Sequence, residues 1–169
     1  RVNFGIVYGI TKYGLARDLG ITRKEAKNYI ERFFNLYPKT RDYIDSLIDK
    51  AEKKGYAKTF LNRRRYLPDV ESSNWNERGH ARRNAINTPL QGGAADLIKL
   101  AMIEVDRAIE ACRLPGQLLL QVHDELIIEV SSEDADEASE VLKEVMEGVM
   151  ELRIPLKADV KAGEDWSKL

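Results

Sequence analysis

Apolar positions recur at three- and four-residue intervals through most of the chain, and β-prone runs become prominent only in its last third. That order predicts helices first, then a small sheet with covering helices. Phe4 and Tyr8 lie four apart on one helical face that Gly9 stops, and a short helix over Thr11–Leu19 ends at Gly20. Thr22 and Glu25 form a capping-box pattern, and the spacing of Ala26, Tyr29, Ile30 and Phe33 carries a helix to about Tyr37. Pro38 breaks it, and a further helix from Arg41 to about Lys54 closes at Gly55. Tyr56–Val70 lacks helical periodicity and reads as an irregular hairpin holding the arginines. Asn76–Ile86 is predicted helical, with Pro89 forcing a kink or break after it. Beyond Gly92-Gly93, the positions Ile98, Ala101, Met102, Val105, Ala108, Ile109 and Cys112 trace one stripe, the buried side of a long helix. Leu118–Gln121 and Leu126–Val130 predict a hairpin with His123-Asp124-Glu125 at its turn. A helix with Ala138, Val141, Leu142, Val145 and Val149 on one side follows, and Ile154–Val160 predicts a last strand leading to Trp166. The fold class is α+β.

With 169 residues and 43% hydrophobic content, the chain can bury a real core as one domain or parts of two. The formal net charge of -1 gives no electrostatic reason to expect a nucleic-acid partner. That average conceals segregation. Lys50, Lys53, Lys54, Lys58, Arg63, Arg64 and Arg65 stand against the single acid Glu52, and Arg78, Arg82 and Arg83 follow, whereas acids dominate from Glu133 to Glu151. Either these are solvated helix faces or the basic run meets an anionic partner. The lone Cys112 rules out an internal disulfide framework and fits a reducing compartment. No apolar stretch approaches the roughly 20 residues that span a bilayer, so no membrane partner is expected and the protein should be soluble and intracellular. The chain opens without Met on a patterned segment, Arg1 to Gly9, as a piece of something longer would.

Four constellations carry candidate chemistry. Asp124 and Glu125 interrupt an apolar Leu/Val/Ile context, so they form either an ordinary exposed turn or a ligand site for a hard divalent cation such as Mg²⁺. His123 adds a third polar group suited to phosphate or sugar contact. Arg83, Asn87 and Gln91 are spaced four and four, which on an unbroken helix would put donors for phosphate and base edges on one face; a solvated face is the other reading. Arg63-Arg64-Arg65 is a phosphate-contacting loop or a salt-bridge cluster. Phe4 and Tyr8 could stack on bases or belong to a core.

In order along the chain, these segments closely resemble family A DNA polymerases of the bacterial DNA polymerase I type. The likeness runs through Asn3-Phe4-Gly5-Ile6-Val7-Tyr8-Gly9, Gly55-Tyr56-Ala57-Lys58-Thr59, Arg63-Arg64-Arg65-Tyr66-Leu67-Pro68, Arg83 to Gly92, Ala94-Ala95-Asp96, Val122-His123-Asp124-Glu125 and Gly163-Glu164-Asp165-Trp166, and covers essentially the whole chain. Gly93 departs mildly, since the family usually has Ser or Thr there; little consequence is expected.

The resemblance implies a mainly helical fingers portion over 1–91 and a C-terminal palm portion over 92–169 with a small antiparallel sheet. It implies that Phe4 flanks the sugar and base of an incoming nucleotide, and that Tyr8 stacks at the templating-base position until the fingers close. Arg83, Asn87 and Gln91 would contact primer-template DNA, with Arg63 and Arg64 on the same DNA-binding surface and His123 at the primer terminus. Asp124 would be one of two metal-binding aspartates, with Glu125 beside it as a supporting catalytic residue. The implied reaction is attack of a primer 3′-hydroxyl on the α-phosphate of a dNTP, with two Mg²⁺ ions in the complete enzyme. A monomer in the bacterial cytoplasm, associated with the nucleoid, is the implied setting. The family's second metal-binding Asp and its triphosphate-binding Lys and Arg lie upstream of Asn3, and Arg1 does not fall at the Lys position. The chain is therefore expected to be inactive alone. Two other readings remain: a non-catalytic DNA-binding remnant, which an upstream Asp-containing segment would argue against, and a metal-dependent phosphoesterase using Asp124 and Glu125, which would hydrolyse DNA without dNTPs.

Overall fold

The computed structural model describes residues 2–111 and 113–166. Arg1 and Cys112, the last position of the predicted stripe, lie outside the described residues. Two compact units divide the chain, Arg1–Gly93 and Ala94–Leu169.

In the first unit, α1 (Val2–Val7), α2 (Lys12–Leu19), α3 (Arg23–Leu36) and α4 (Pro38–Lys54) follow one another. Thr11 caps α2 by accepting from the Gly14 N–H at 3.2 Å. At α3 the capping box forms as the sequence predicts: the Thr22 N–H donates to Glu25 at 2.8 Å and the Glu25 N–H donates to the Thr22 hydroxyl at 3.2 Å. The Thr22 backbone N–H, and after it the Thr22 hydroxyl, hold the Glu25 carboxyl below its ordinary range. α2 and α4 both end on a left-handed glycine, Gly20 at φ 66° and Gly55 at φ 71°, a conformation that a side chain would oppose. α4 begins at Pro38, three residues before the predicted Arg41. A first-turn N–H has no helical acceptor, so a residue without one breaks the preceding helix and starts the next.

β1 (Tyr56–Lys58) and β2 (Arg64–Tyr66) then form the predicted hairpin, and α5 (Trp75–Asn87) packs beside it. Beneath the hairpin lies a cluster of small side chains, Ala51, Ala57, Leu67, Val70, Ala81 and Ala85. A second cluster, Leu15, Ala16 and Ala26 with Val2, Ile10, Ile21 and Ile30 against it, joins the first three helices. The predicted kink at Pro89 takes the form of a π-turn over Thr88–Gly92, with α6 (Gly93–Glu110) starting where it ends. Proline supplies no N–H for an α-helical bond, and the wider turn absorbs that loss.

The second unit has one core. Val105 and Ala108 of α6, Leu114, and Ala138 and Leu142 of α7 (Ala135–Gly148) are buried together. One face of the β3 (Gln117–Val122) and β4 (Glu125–Glu129) hairpin covers them through Leu118, Leu126 and Ile128. Ala101, Val105 and Ala108 confirm the stripe as core. The predicted strand Ile154–Val160 does not form. Each sheet of the described residues has two strands only, and Pro155 lacks a donor for a ladder. Instead the Ala158 N–H donates to Glu147 at 3.0 Å and Val160 packs on the core.

Candidate nucleic-acid interface

α1 buries one side only. Ile6 is 3% exposed while Phe4 is 71% exposed, so the core reading of the aromatic pair does not hold for Phe4. The Phe4 and Tyr8 rings are stacked, with centroids 6.4 Å apart and planes 12° from parallel. Leaving a ring of this size in water forgoes about 1.5–3 kcal/mol of burial, which a stacking partner would recover. The end of α1 lies directly on α5. A side chain at Gly9 would stand 3.1 Å from Ile86 Cδ1 and 3.5 Å from Arg83 Cγ, so the Arg83 side chain passes beside the glycine that follows Tyr8.

Arg83, Asn87 and Gln91 continue along the same run. In an α-helix each four-residue step drifts about 40° beyond a full turn, so a third donor would leave the line of the first. The π-turn over Thr88–Gly92 winds through less angle per residue and brings Gln91 back toward that line. Thr88 anchors the turn by donating its hydroxyl to the Asn84 carbonyl at 2.6 Å. Asn87 Oδ1 is buried and, among the described residues, accepts no hydrogen bond. A buried amide oxygen left unpaired costs about 1–3 kcal/mol.

The hairpin carries the arginines. Its tip is closed by the Thr59 N–H to the Arg63 carbonyl at 3.0 Å and the Arg63 N–H to the Thr59 hydroxyl at 3.2 Å, with Asn62 left-handed at φ 66°. Lys58 stands opposite Arg64 and Tyr56 opposite Tyr66, and the Arg64 guanidinium lies 4.9 Å from the Tyr56 ring centre. The basic run divides by use. Arg82 pairs with Glu52 at 2.7 Å, and Arg78 donates to the Ser72 carbonyl at 2.6 Å, so both serve the fold. Arg64 and Arg65 are exposed and form no ion pair among the described residues.

In the second unit, His123 and Asp124 are the two residues between the paired Val122 and Glu125. All three polar residues of the tip are exposed. His123 sits at φ 54°, left-handed backbone that costs a side-chain-bearing residue roughly 1–2 kcal/mol, and its carbonyl accepts from the Gln121 amide. The carboxylates thus leave a short, backbone-fixed turn into solvent. Among the described residues no three His, Cys, Asp or Glu side chains converge, so the tip offers a pair of ligands and no enclosed cage.

The structure therefore groups Phe4, Tyr8, Arg83, Asn87, Gln91, Arg63 and Arg64 in one unit and His123, Asp124 and Glu125 in the other. What the sequence reading passes over is the contact at Gly92-Gly93. The expectation that Gly93 is of little consequence does not hold, because Phe60 fills the space a Ser or Thr side chain would need. The tip residues Thr59 and Phe60 occupy the space where side chains at those glycines would stand. Two adjacent glycines at the head of a long helix are the signal that could have found it.

The family described as DNA polymerase family A matches residues 1–168. DNA polymerase I of Lactococcus lactis subsp. lactis (strain IL1403) is 50% identical over 165 residues, 98% of this chain and 19% of that protein. DNA polymerase I of Geobacillus stearothermophilus is 52% identical over the same share of each. The chain spans about 19% of the length of the curated relatives it matches. A solved structure of the POL domain of Pol1 from M. smegmatis, in complex with DNA primer-template and dNTP, superimposes with a TM-score of 0.86 at 46% identity, covering 92% of this chain and 27% of that one.

Proposed function

The chain belongs to DNA polymerase family A, and from that premise we propose that it forms the fingers portion (1–91) and C-terminal palm portion (92–169) of an enzyme that extends a DNA primer on a template. The observation that carries this reading is the exposed carboxylate pair on a two-residue turn in a chain whose family match is nearly complete.

Phe4, exposed, and Tyr8, half-buried and stacked on it, offer ring faces to an incoming dNTP and to the templating base. Arg83 and Gln91 donate to the primer-template from successive turns, and half-buried Asn87 donates its amide N–H to the same DNA. Arg63 and Arg64 hold the phosphate backbone. His123 steadies the primer terminus, Asp124 is a metal ligand, and Glu125 supports it. Mg²⁺ binds through one or two carboxylates together with water and phosphate oxygens, so an exposed pair fits a shared site better than a closed one. Bound there, the ions would neutralise charge on the attacking 3′-oxygen and on the departing pyrophosphate. A two-residue turn suits this, because it leaves the carboxylates little freedom to drift from the reacting oxygens.

One pair of carboxylates cannot by itself serve two ions, so the chain alone should bind primer-template DNA without extending it. Incubation of the purified chain with primer-template, Mg²⁺ and dNTPs should give no product above a mock preparation while the DNA is retained in a binding assay. Extension by the chain alone would refute the shared site, and failure to bind DNA would refute the contact surface. No helix among the described residues is long and apolar enough to cross a membrane.

A further inference from the structure

Gly92 and Gly93 are the floor on which the arginine hairpin rests. A Cβ at Gly93 would lie 2.3 Å from Phe60 Cε1 and 2.7 Å from Cδ1, and one at Gly92 would lie 2.7 Å from Thr59 Cγ2. Real Cβ atoms essentially never come within 3.0 Å of another heavy atom, so neither glycine can carry a side chain while Thr59 and Phe60 stay in place. Gly93 is buried, whereas Phe60 is 47% exposed: its ring edge is set on the helix start and its outer face is left in water. The contact joins two segments that carry candidate DNA-contacting groups, since Arg63 and Arg64 follow the tip and Asn87 and Gln91 flank or lie within the π-turn. Because the tip is closed by Thr59–Arg63 bonds, a shift of Phe60 is passed to the arginines through a few bonded residues.

We propose that Phe60 is a positioning residue: seated over Gly93, it locks the arginine hairpin to the π-turn so that Arg63 and Arg64 meet DNA in register with Asn87 and Gln91. This rests on the DNA-contact reading given above. Ser at position 93 drives the ring off its seat, and the smaller Ala at position 60 makes room for it, so the two positions are coupled by volume.

The test is DNA binding by the whole 169-residue chain, followed by fluorescence anisotropy on a primer-template across a range of salt, with thermal unfolding recorded in parallel. For Gly93→Ser the expected result is affinity lower on the order of tenfold and a salt slope shallower by about two, the loss of two arginine–phosphate contacts. The Phe60→Ala/Gly93→Ser double variant should match Phe60→Ala alone, since the clash goes but so does the ring that locks the hairpin, and Phe60→Leu should stay near the parent. If Gly93→Ser does not fold, Phe60→Ala carries the test, because its half-exposed ring can be removed with less damage; its slope should also become shallower. An unchanged salt slope in the folded variants, whatever happens to their unfolding temperature, would reduce Phe60 to a packing residue and overturn the proposal. A parent chain that binds no primer-template would instead overturn the contact reading beneath it.

Discussion

The β1–β2 hairpin is held at its tip and the β3–β4 hairpin along one face, and each arrangement matches the groups it displays. The first rests Thr59 and Phe60 on a glycine pair and spreads cations along its strands. The second lays Leu118, Leu126 and Ile128 on a helical core and leaves its acidic tip free. A cationic strand surface can follow a phosphate chain with some latitude, whereas a metal-ligating tip has to stand clear of its own protein on a stiff support. The cores differ to match. Beneath the first hairpin four of six clustered residues are alanine, with Leu67 and Val70; beneath the second the larger Val105, Leu114 and Leu142 outnumber Ala108 and Ala138.

The comparison can be broken from either side. The largest effect on stability should come from truncation in the second unit: Leu142→Ala is expected to cost about 2–5 kcal/mol, read by urea denaturation, because the buried side chain leaves a cavity under the hairpin. A loss under half a kcal/mol would mean that the hairpin does not depend on this core. In the first unit enlargement should hurt. Ala85 is 0% exposed, and Ala85→Leu should destabilise by about 1–3 kcal/mol through overpacking, measured in the same way. Stabilisation instead would show spare volume beneath β1–β2. The smallest effect lies outside both hairpins and serves as their reference. Thr22 holds Glu25 below the ordinary carboxylate range, so its contribution is present above that range and is lost as pH falls through the lower folded value. Helicity of the parent should therefore fall more steeply on acidification than that of Glu25→Gln, as circular dichroism would record; identical curves would remove the capping box from the account of α3.

Much of this architecture is legible in the sequence because its signals are local. The Thr22/Glu25 box, the left-handed glycines after α2 and α4, and the Ala101–Ala108 stripe each depend on neighbours within a turn or two. What is not legible is where α4 starts, the form the predicted kink at Pro89 takes, and strand pairing. Pro38 both ends one helix and begins the next, and Pro89 is taken up in a π-turn, an outcome that depends on the packing around it. Ile154–Val160 has a strand's composition, but a strand needs a partner edge, and composition cannot supply one. At the candidate site, the motifs are visible in the order of residues. The seat of Phe60 on Gly93 is not, because positions 33 apart reveal a contact only once folded. The same applies to Asn87, whose unpaired oxygen is a property of burial.

The most direct measurement is primer extension by a chimera in which this chain replaces the matching portion of one of the half-identical DNA polymerase I relatives, compared with the same chimera carrying Asp124→Asn. The parent chimera should extend a primer with Mg²⁺ and dNTPs. The variant should lose on the order of a thousandfold in rate, several kcal/mol of transition-state stabilisation, while still binding primer-template DNA. Extension that survives Asp124→Asn at near-parent rates would contradict the assignment of the hairpin tip as part of the metal centre.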